Sequence, residues 1–181
     1  MNVLVAYSSR HGATAGIAEH IATHLTEAGV PAKAVSVDKV TDIEPYDAVV
    51  LGASAYIFHW QREAVRFARQ NAERLAAQPL WLFSSGPLGT DLVNKKDVDL
   101  VVASRPKEFD ELVGLLHPIG ERVFFGKHDP NARPIGMSER LLRTMPVGRD
   151  VLPNGDFRDW PAIEAWAQEI AAELKRTAAT P

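Results

Sequence analysis

Residues 3–14 read Val-Leu-Val-Ala-Tyr-Ser-Ser-Arg-His-Gly-Ala-Thr, and residues 17–25 continue as Ile-Ala-Glu-His-Ile-Ala-Thr-His-Leu. Val3 to Ala6 form an apolar run with almost no polar relief, which suits a strand covered on both faces of a parallel sheet. Tyr7 to Thr14 break that run with hydroxyls and one glycine. From Ile17 the period becomes helical, with Ile17, Ile21 and Leu25 on one line and Ala18 and Ala22 beside it. Strand, short polar loop and helix together aim free backbone N–H groups and the positive helix end at one point, where an anion is stabilised. Ser9 and Thr14 can add hydroxyl donors, and Gly12 lets the backbone come close to a ligand. Hydroxyl-rich caps also open helices that bind nothing, so on this loop alone phosphate binding and simple capping both stay open. The loop is not a P-loop, because the glycine–lysine ending is missing. Nor is it the three-glycine dinucleotide turn, because only Gly12 and Gly16 are present. Hydroxyls in place of glycines point toward a mononucleotide.

Outward from this stretch, the pattern repeats. Gly29 reads as the end of the first helix, followed by a second strand at Ala34, Val35 and Val37, with Asp38 at its end. Tyr46 to Gly52 reads as a third, buried strand, left by the small-residue turn Gly52-Ala53-Ser54-Ala55-Tyr56 and followed by a helix from Trp60 to Ala77. Leu80 to Phe83 is a fourth strand running into Ser84-Ser85-Gly86-Pro87-Leu88-Gly89. Lys107 to Leu116 reads as a short helix, Arg122 to Gly126 as a fifth strand. Asp159 caps a last helix that starts at Pro161 and runs to about Lys175. Five strands alternating with helices imply a doubly wound parallel sheet between helical layers, a single domain over residues 1–177 with a frayed tail at 178–181. Ligands of such sheets sit beyond the carboxyl ends of the strands. Three polar or small-residue stretches fall there: Ser8 to Thr14, Ala53 to Trp60, and Ser84 to Gly89.

Composition narrows the chemistry. The 181 residues suit one domain, are 46% hydrophobic and contain no run of transmembrane length. With no cysteine, disulfides, iron–sulfur ligation and thiol catalysis are excluded, so redox chemistry needs a bound cofactor. Lys and Arg number 20 against 23 Asp and Glu, a net charge of -3, without the clustered basic excess of a nucleic-acid binder. No basic leader or cleavage site precedes the first strand, so the cytoplasm is the expected location.

Ser9-Arg10-His11-Gly12-Ala13-Thr14 resembles the phosphate loop of flavodoxins, whose Ser/Thr-rich loop ending in Gly-x-Thr holds the FMN phosphate. Ser9, Gly12 and Thr14 match, while Arg10 and His11 replace two threonines. An Arg, a polar residue and Gly in sequence is similar to the flavodoxin-like menaquinone-dependent protoporphyrinogen dehydrogenases. So are Gly52-Ala53-Ser54, His59 with aromatic Trp60, and Asp159-Trp160 opening the last helix. The resemblance implies a flavodoxin-like, three-layer α/β/α fold with strand order 2-1-3-4-5 and FMN as cofactor. It places Ser9, Arg10, His11, Gly12, Ala13 and Thr14 around the phosphate, with Arg10 available to neutralise the dianion. Ala53, Ser54, Ala55 and Tyr56 would line the ribityl chain and ring, with Tyr56 or Trp60 stacking on it. Ser84, Ser85, Gly86, Pro87 and Leu88 would close the other side and offer backbone N–H groups to the pyrimidine edge. Trp60 as the core-facing start of its helix is the competing reading. His59 is a weak candidate proton carrier beside the flavin, and no metal ligands are expected.

Three functions follow. The first is an FMN-dependent oxidoreductase passing electrons or hydride from a reduced donor to a small acceptor, a quinone or porphyrinogen, with protoporphyrinogen oxidation its most specific form. The second is a non-enzymatic carrier for a larger redox enzyme. The strong acidity that steers carrier flavodoxins to basic partners is missing here. The third is a flavodoxin-like module without FMN that binds a protein. Asp91 to Arg105 reads as a lid or a surface excursion. In the resembling quinone-linked enzymes the region of Arg133 to Arg149 implies membrane contact; here its apolar Met137, Leu141, Leu142 and Met145 are interrupted by Glu139 and Pro146, and a homodimer contact is an equal use for them.

Overall fold

A computed structural model describes residues 1–89, 99–132, 135 and 153–179. The apolar run at the start becomes β1 (Val3–Ser8), followed by α1 (Ala13–Glu27), β2 (Ala32–Ser36) and a 3-10 turn at Val37–Lys39. Next come β3 (Ala48–Tyr56), β4 (His59–Trp60), α2 (Arg62–Gln70), α3 (Ala72–Ala76) and β5 (Leu80–Ser85). The remainder is α4 (Leu100–Ala103), α5 (Glu108–Leu116), β6 (Gly120–Phe124), β7 (Lys127–His128), β8 (Gly155–Asp156) and a last helix, α6 (Trp160–Ala178).

The sheet runs β2-β1-β3-β5-β6, all parallel, with β4 folded back on β3 and a separate β7–β8 ribbon. With the short β4 set aside, this is the expected 2-1-3-4-5 order. Alternation sorts the side chains into two cores. On one face Val3, Val5, Trp81 and Phe83 pack under Ile17, Ile21 and Leu25 of α1 and Ile163, Trp166 and Ile170 of α6. On the other, Leu4, Leu51, Leu80 and Leu82 pack under Ala64 and Phe67 of α2, Leu75 of α3 and Phe109, Leu112 and Leu116 of α5. Burial on both faces explains why β1, β3 and β5 are apolar without alternation.

Several boundaries differ from expectation, and Val37 falls in the 3-10 turn rather than in β2. Ala53 to Tyr56 continue β3 as strand rather than leaving it as a turn, and β5 extends through Ser85. The last strand of the sheet occupies Gly120–Phe124, earlier than the apolar residues alone suggest. The single helix expected from Trp60 to Ala77 is two helices preceded by a strand. Asn71 divides them: its side-chain amide donates to the Phe67 carbonyl at 2.9 Å, and its backbone leaves helical geometry. Residues 90–98, the centre of the expected lid, and nearly all of the Arg133 to Arg149 segment lie outside the described residues. Among the described residues, no helix is long and apolar enough to cross a membrane.

Candidate functional site

The parallel register brings the three strand ends level. Ser8 of β1 pairs with Ala53 of β3, which pairs with Ser84 of β5, and Ser54 pairs with Ser85. Two buried side-chain bridges then tie the ends together. The Ser8 hydroxyl donates to Gln61 Oε1 at 2.7 Å, and Gln61 Nε2 in turn donates to Ser54 Oγ. On the opposite face of the sheet, the Thr14 and Ser85 hydroxyls share a 2.8 Å hydrogen bond.

The first loop turns at Gly12, directly ahead of α1. Gly12 sits at φ 81°, a left-handed conformation that favours glycine, and the space where a Cβ would stand is open. Its amide donates to Ser9 Oγ at 3.1 Å, which shapes the turn. No side chain caps α1 among the described residues, so the N–H groups of its first turn face outward with the positive helix end behind them. A phosphate monoester fits that arrangement. Arg10 and His11 are exposed beside it. A concavity of about 340 Å³ opens next to the loop, lined by Ser9, Arg10, Ser36, Asp38, Gln61 and Glu63. Its two carboxylates, Asp38 and Glu63, make the hollow itself unfavourable for an anion.

The Thr14 side chain is fully buried, and Ser85 occupies one of its hydrogen-bonding positions. For Trp60 the stacking reading is corrected. It is 2% exposed, its indole N–H donates to the Ala53 carbonyl at 3.1 Å, and its ring meets Phe109 edge-on at 5.0 Å. It belongs to the core and cannot present a stacking face. Tyr56, 38% exposed, remains on the surface with the Arg10 guanidinium 4.9 Å from its ring centre.

Between Tyr56 and His59 the chain turns in two residues, Ile57 and Phe58, at φ 51° and 64°. Two positive φ values in a two-residue hairpin form the type I′ geometry that Asn-Gly ordinarily fills. Ile57 is 79% and Phe58 48% exposed. The tip is held from α5: Lys107 N–H donates to the Phe58 carbonyl at 3.0 Å. His59 Nδ1 lies 2.8 Å from one Glu108 oxygen, while the other accepts the Trp60 amide at 3.0 Å. Burial pushes the Glu108 carboxyl up, but the Trp60 amide and then His59 outweigh it and hold the group below the usual glutamate range. His59 is thus half-exposed and bound to a carboxylate at the hairpin.

The third loop is narrower in its offer than expected. Ser84 and Ser85 are ladder residues with neighbours on both sides. The Gly86 amide donates to the Phe124 carbonyl at 3.2 Å, and Pro87 has no N–H. Leu88 remains as the candidate amide donor among the five. The Ser84 hydroxyl is buried without a partner among the described residues.

Three residues of the site were not read from the sequence: Gln61, Glu108 and Arg158. Arg158 Nε donates to Asp156 Oδ1 at 2.7 Å, its Nη1 reaches the Ala13 carbonyl at 3.3 Å, and its guanidinium lies 4.3 Å from the Trp160 ring centre. It therefore braces the loop from beneath. Its one legible trace is the adjacent Asp159-Trp160 pair.

A flavodoxin domain family model matches residues 4–127. The chain belongs to the flavodoxin domain family. It is also similar to the "Protoporphyrinogen IX dehydrogenase [quinone]" of Escherichia coli strain K12, 34% identical over 86 residues, 46% of this chain and 48% of that protein. The chain spans about half the length of the curated relatives it matches. Among solved structures, a cysteine-to-serine variant of Pseudomonas aeruginosa flavodoxin aligns over 97% of this chain and 99% of its own, with TM-score 0.59 and 15% identity. An archaeal flavodoxin gives 0.56 over 97% and 99% at 15% identity. The rubredoxin:oxygen oxidoreductase of Desulfovibrio gigas gives 0.63, covering 99% of this chain and 37% of that one at 13% identity. At such identities these structures establish the fold. Family membership and the dehydrogenase match together support a flavin-type redox role.

Proposed function

We propose that this flavodoxin-domain protein is an FMN-dependent oxidoreductase that passes electrons or hydride from a reduced donor to a small quinone- or porphyrinogen-type acceptor. The observation that carries the reading is the uncapped start of α1 behind Gly12, with Arg10 beside it. A dianionic phosphate there would receive the first-turn N–H groups and a guanidinium. Tyr56, on the same side of the sheet edge, would bear against the ring, and the Leu88 amide would meet its polar rim. When bound, the isoalloxazine supplies the two-electron chemistry itself. The protein binds, orients and shields it. Glu108 fixes His59 and the hairpin that carries Tyr56, so the position of the platform is set from α5. The similarity to a quinone-linked dehydrogenase supports a small acceptor over a protein partner, as does the modest net charge of -3.

The test compares FMN with riboflavin, which lacks the phosphate, by fluorescence titration. FMN should bind at least about 100-fold tighter, because charge-assisted bonds to the phosphate are worth roughly 3 kcal/mol together. Arg10→Ala should narrow that gap while leaving riboflavin binding unchanged. Equal affinity for the two flavins would sink the reading. Turnover of a soluble quinone without any partner protein separates enzyme from carrier.

A further inference from the structure

On the side of α1 away from the sheet ends, His20 and His24 stand four residues apart and therefore on one face of the helix. Glu164, from the second turn of α6, faces them. One ligand-capable atom from each of the three lies within 4.8 Å of the other two. His24 Nδ1 is 3.9 Å from Glu164 Oε1 and 3.0 Å from Glu27 Oε2. The two imidazoles meet at 4.3 Å, and His20 also leans on Trp160 at 4.9 Å. His20 Nε2 is buried with no hydrogen-bond partner among the described residues.

An ordinary ion pair accounts for His24 but not for His20. A buried ring nitrogen without a partner is destabilising, and a positive ion would give it one. We propose that His20, His24 and Glu164 form a binding site for Zn²⁺ or a similar late first-row divalent cation, bracing α1 against α6.

The donor set decides the class of ion. Two imidazoles and one carboxylate suit zinc and its neighbours, whereas magnesium and calcium take oxygen donors. Ligand atoms about 2.0–2.2 Å from zinc lie roughly 3.4 Å from one another in a tetrahedron, so small side-chain rotations close the set and leave the fourth position to water. A hydrolytic helix site would carry Glu directly after the first histidine; Ile21 stands there. The role is therefore structural. It secures the helix whose far end, eight residues and about 12 Å away from His20, forms the anion loop.

Isothermal titration of the tag-free full-length chain with ZnCl₂ tests the site, with MgCl₂ as control. The expected result is one zinc per chain, a raised thermal midpoint with zinc, and no response to magnesium. The double variant His20→Gln/His24→Gln should lose at least the roughly 10–100-fold in affinity that even an outer partner of a metal site contributes. Glu164→Gln, a solvent-facing change that leaves the packing of both helices intact, should weaken zinc by at least about tenfold. Absence of saturable zinc binding by the parent chain overturns the proposal. So does undiminished affinity in either variant, Glu164→Gln deciding the matter if the histidine variant fails to fold.

Discussion

Single side chains set the geometry of the strand ends. Gln61 is the clearest case, since its amide links the Ser8 and Ser54 side chains at the ends of the paired strands β1 and β3. Gln61→Ala would strand a buried hydroxyl and should lower stability by about 1–3 kcal/mol in urea unfolding. Gly52 shows the opposite constraint: a Cβ there would stand 2.0 Å from the fully buried Phe83 ring. Gly52→Ala should therefore cost about 1–3 kcal/mol or more through overpacking, read as a fall in the thermal midpoint. Glu108 brings a pH dependence. Its folded-state pKa lies below the ordinary glutamate value, so its contribution is complete above that value and fades as pH falls through and below it. The stability gap between the parent and Glu108→Gln should accordingly shrink on acidification from pH 6 to the acid side of the carboxylate range, by thermal unfolding at each pH. These roles were not legible in the sequence for a common reason. Gln61 and Glu108 act on partners 53 and 48 residues away, and no local period encodes such pairings. The sequence leaves Trp60 open between platform and core for a related reason: only the placed partner ring of Phe109 decides for the core.

Among elements, β1, α1 and the buried strands were readable because each carries one period consistently from end to end. Val3 to Ala6 and Leu80 to Phe83 could hardly be anything but double-faced strands. The β3–β4 hairpin was not readable, since its turn residues contradict the ordinary turn code. Ile57, a β-branched residue at φ 51°, holds a conformation costing on the order of 1–3 kcal/mol. Among the described residues the tip gains little packing in return, since Ile57 is 79% exposed and Phe58 about half exposed. Replacing them by Asn-Gly should raise stability by about 1 kcal/mol or more, measured by chemical unfolding. If the apolar tip serves the proposed acceptor, the same change should weaken quinone turnover while leaving FMN affinity intact.

At the scale of the whole molecule, the alternation of strands and helices implies the doubly wound sheet, and the strand order follows from the family resemblance alone. The closure of the structure follows from neither. A run of backbone bonds links the third loop to the end of β6 and on to α6: Gly86 to Phe124, Gly126 to Pro87, Phe157 to Gly126. It ends at Arg158, whose guanidinium is largely enclosed and touches both Ala13 and Trp160. Removing it in Arg158→Ala should lower stability by about 1–3 kcal/mol, as for a largely desolvated pair losing one partner, and should loosen FMN through the loop it supports. Ala13 and Arg158 are 145 positions apart. During synthesis the first strand and helix leave the ribosome long before the residue that underpins their junction has been translated. Under the proposed FMN-binding role, nascent chains stalled ahead of Arg158 should emerge without flavin.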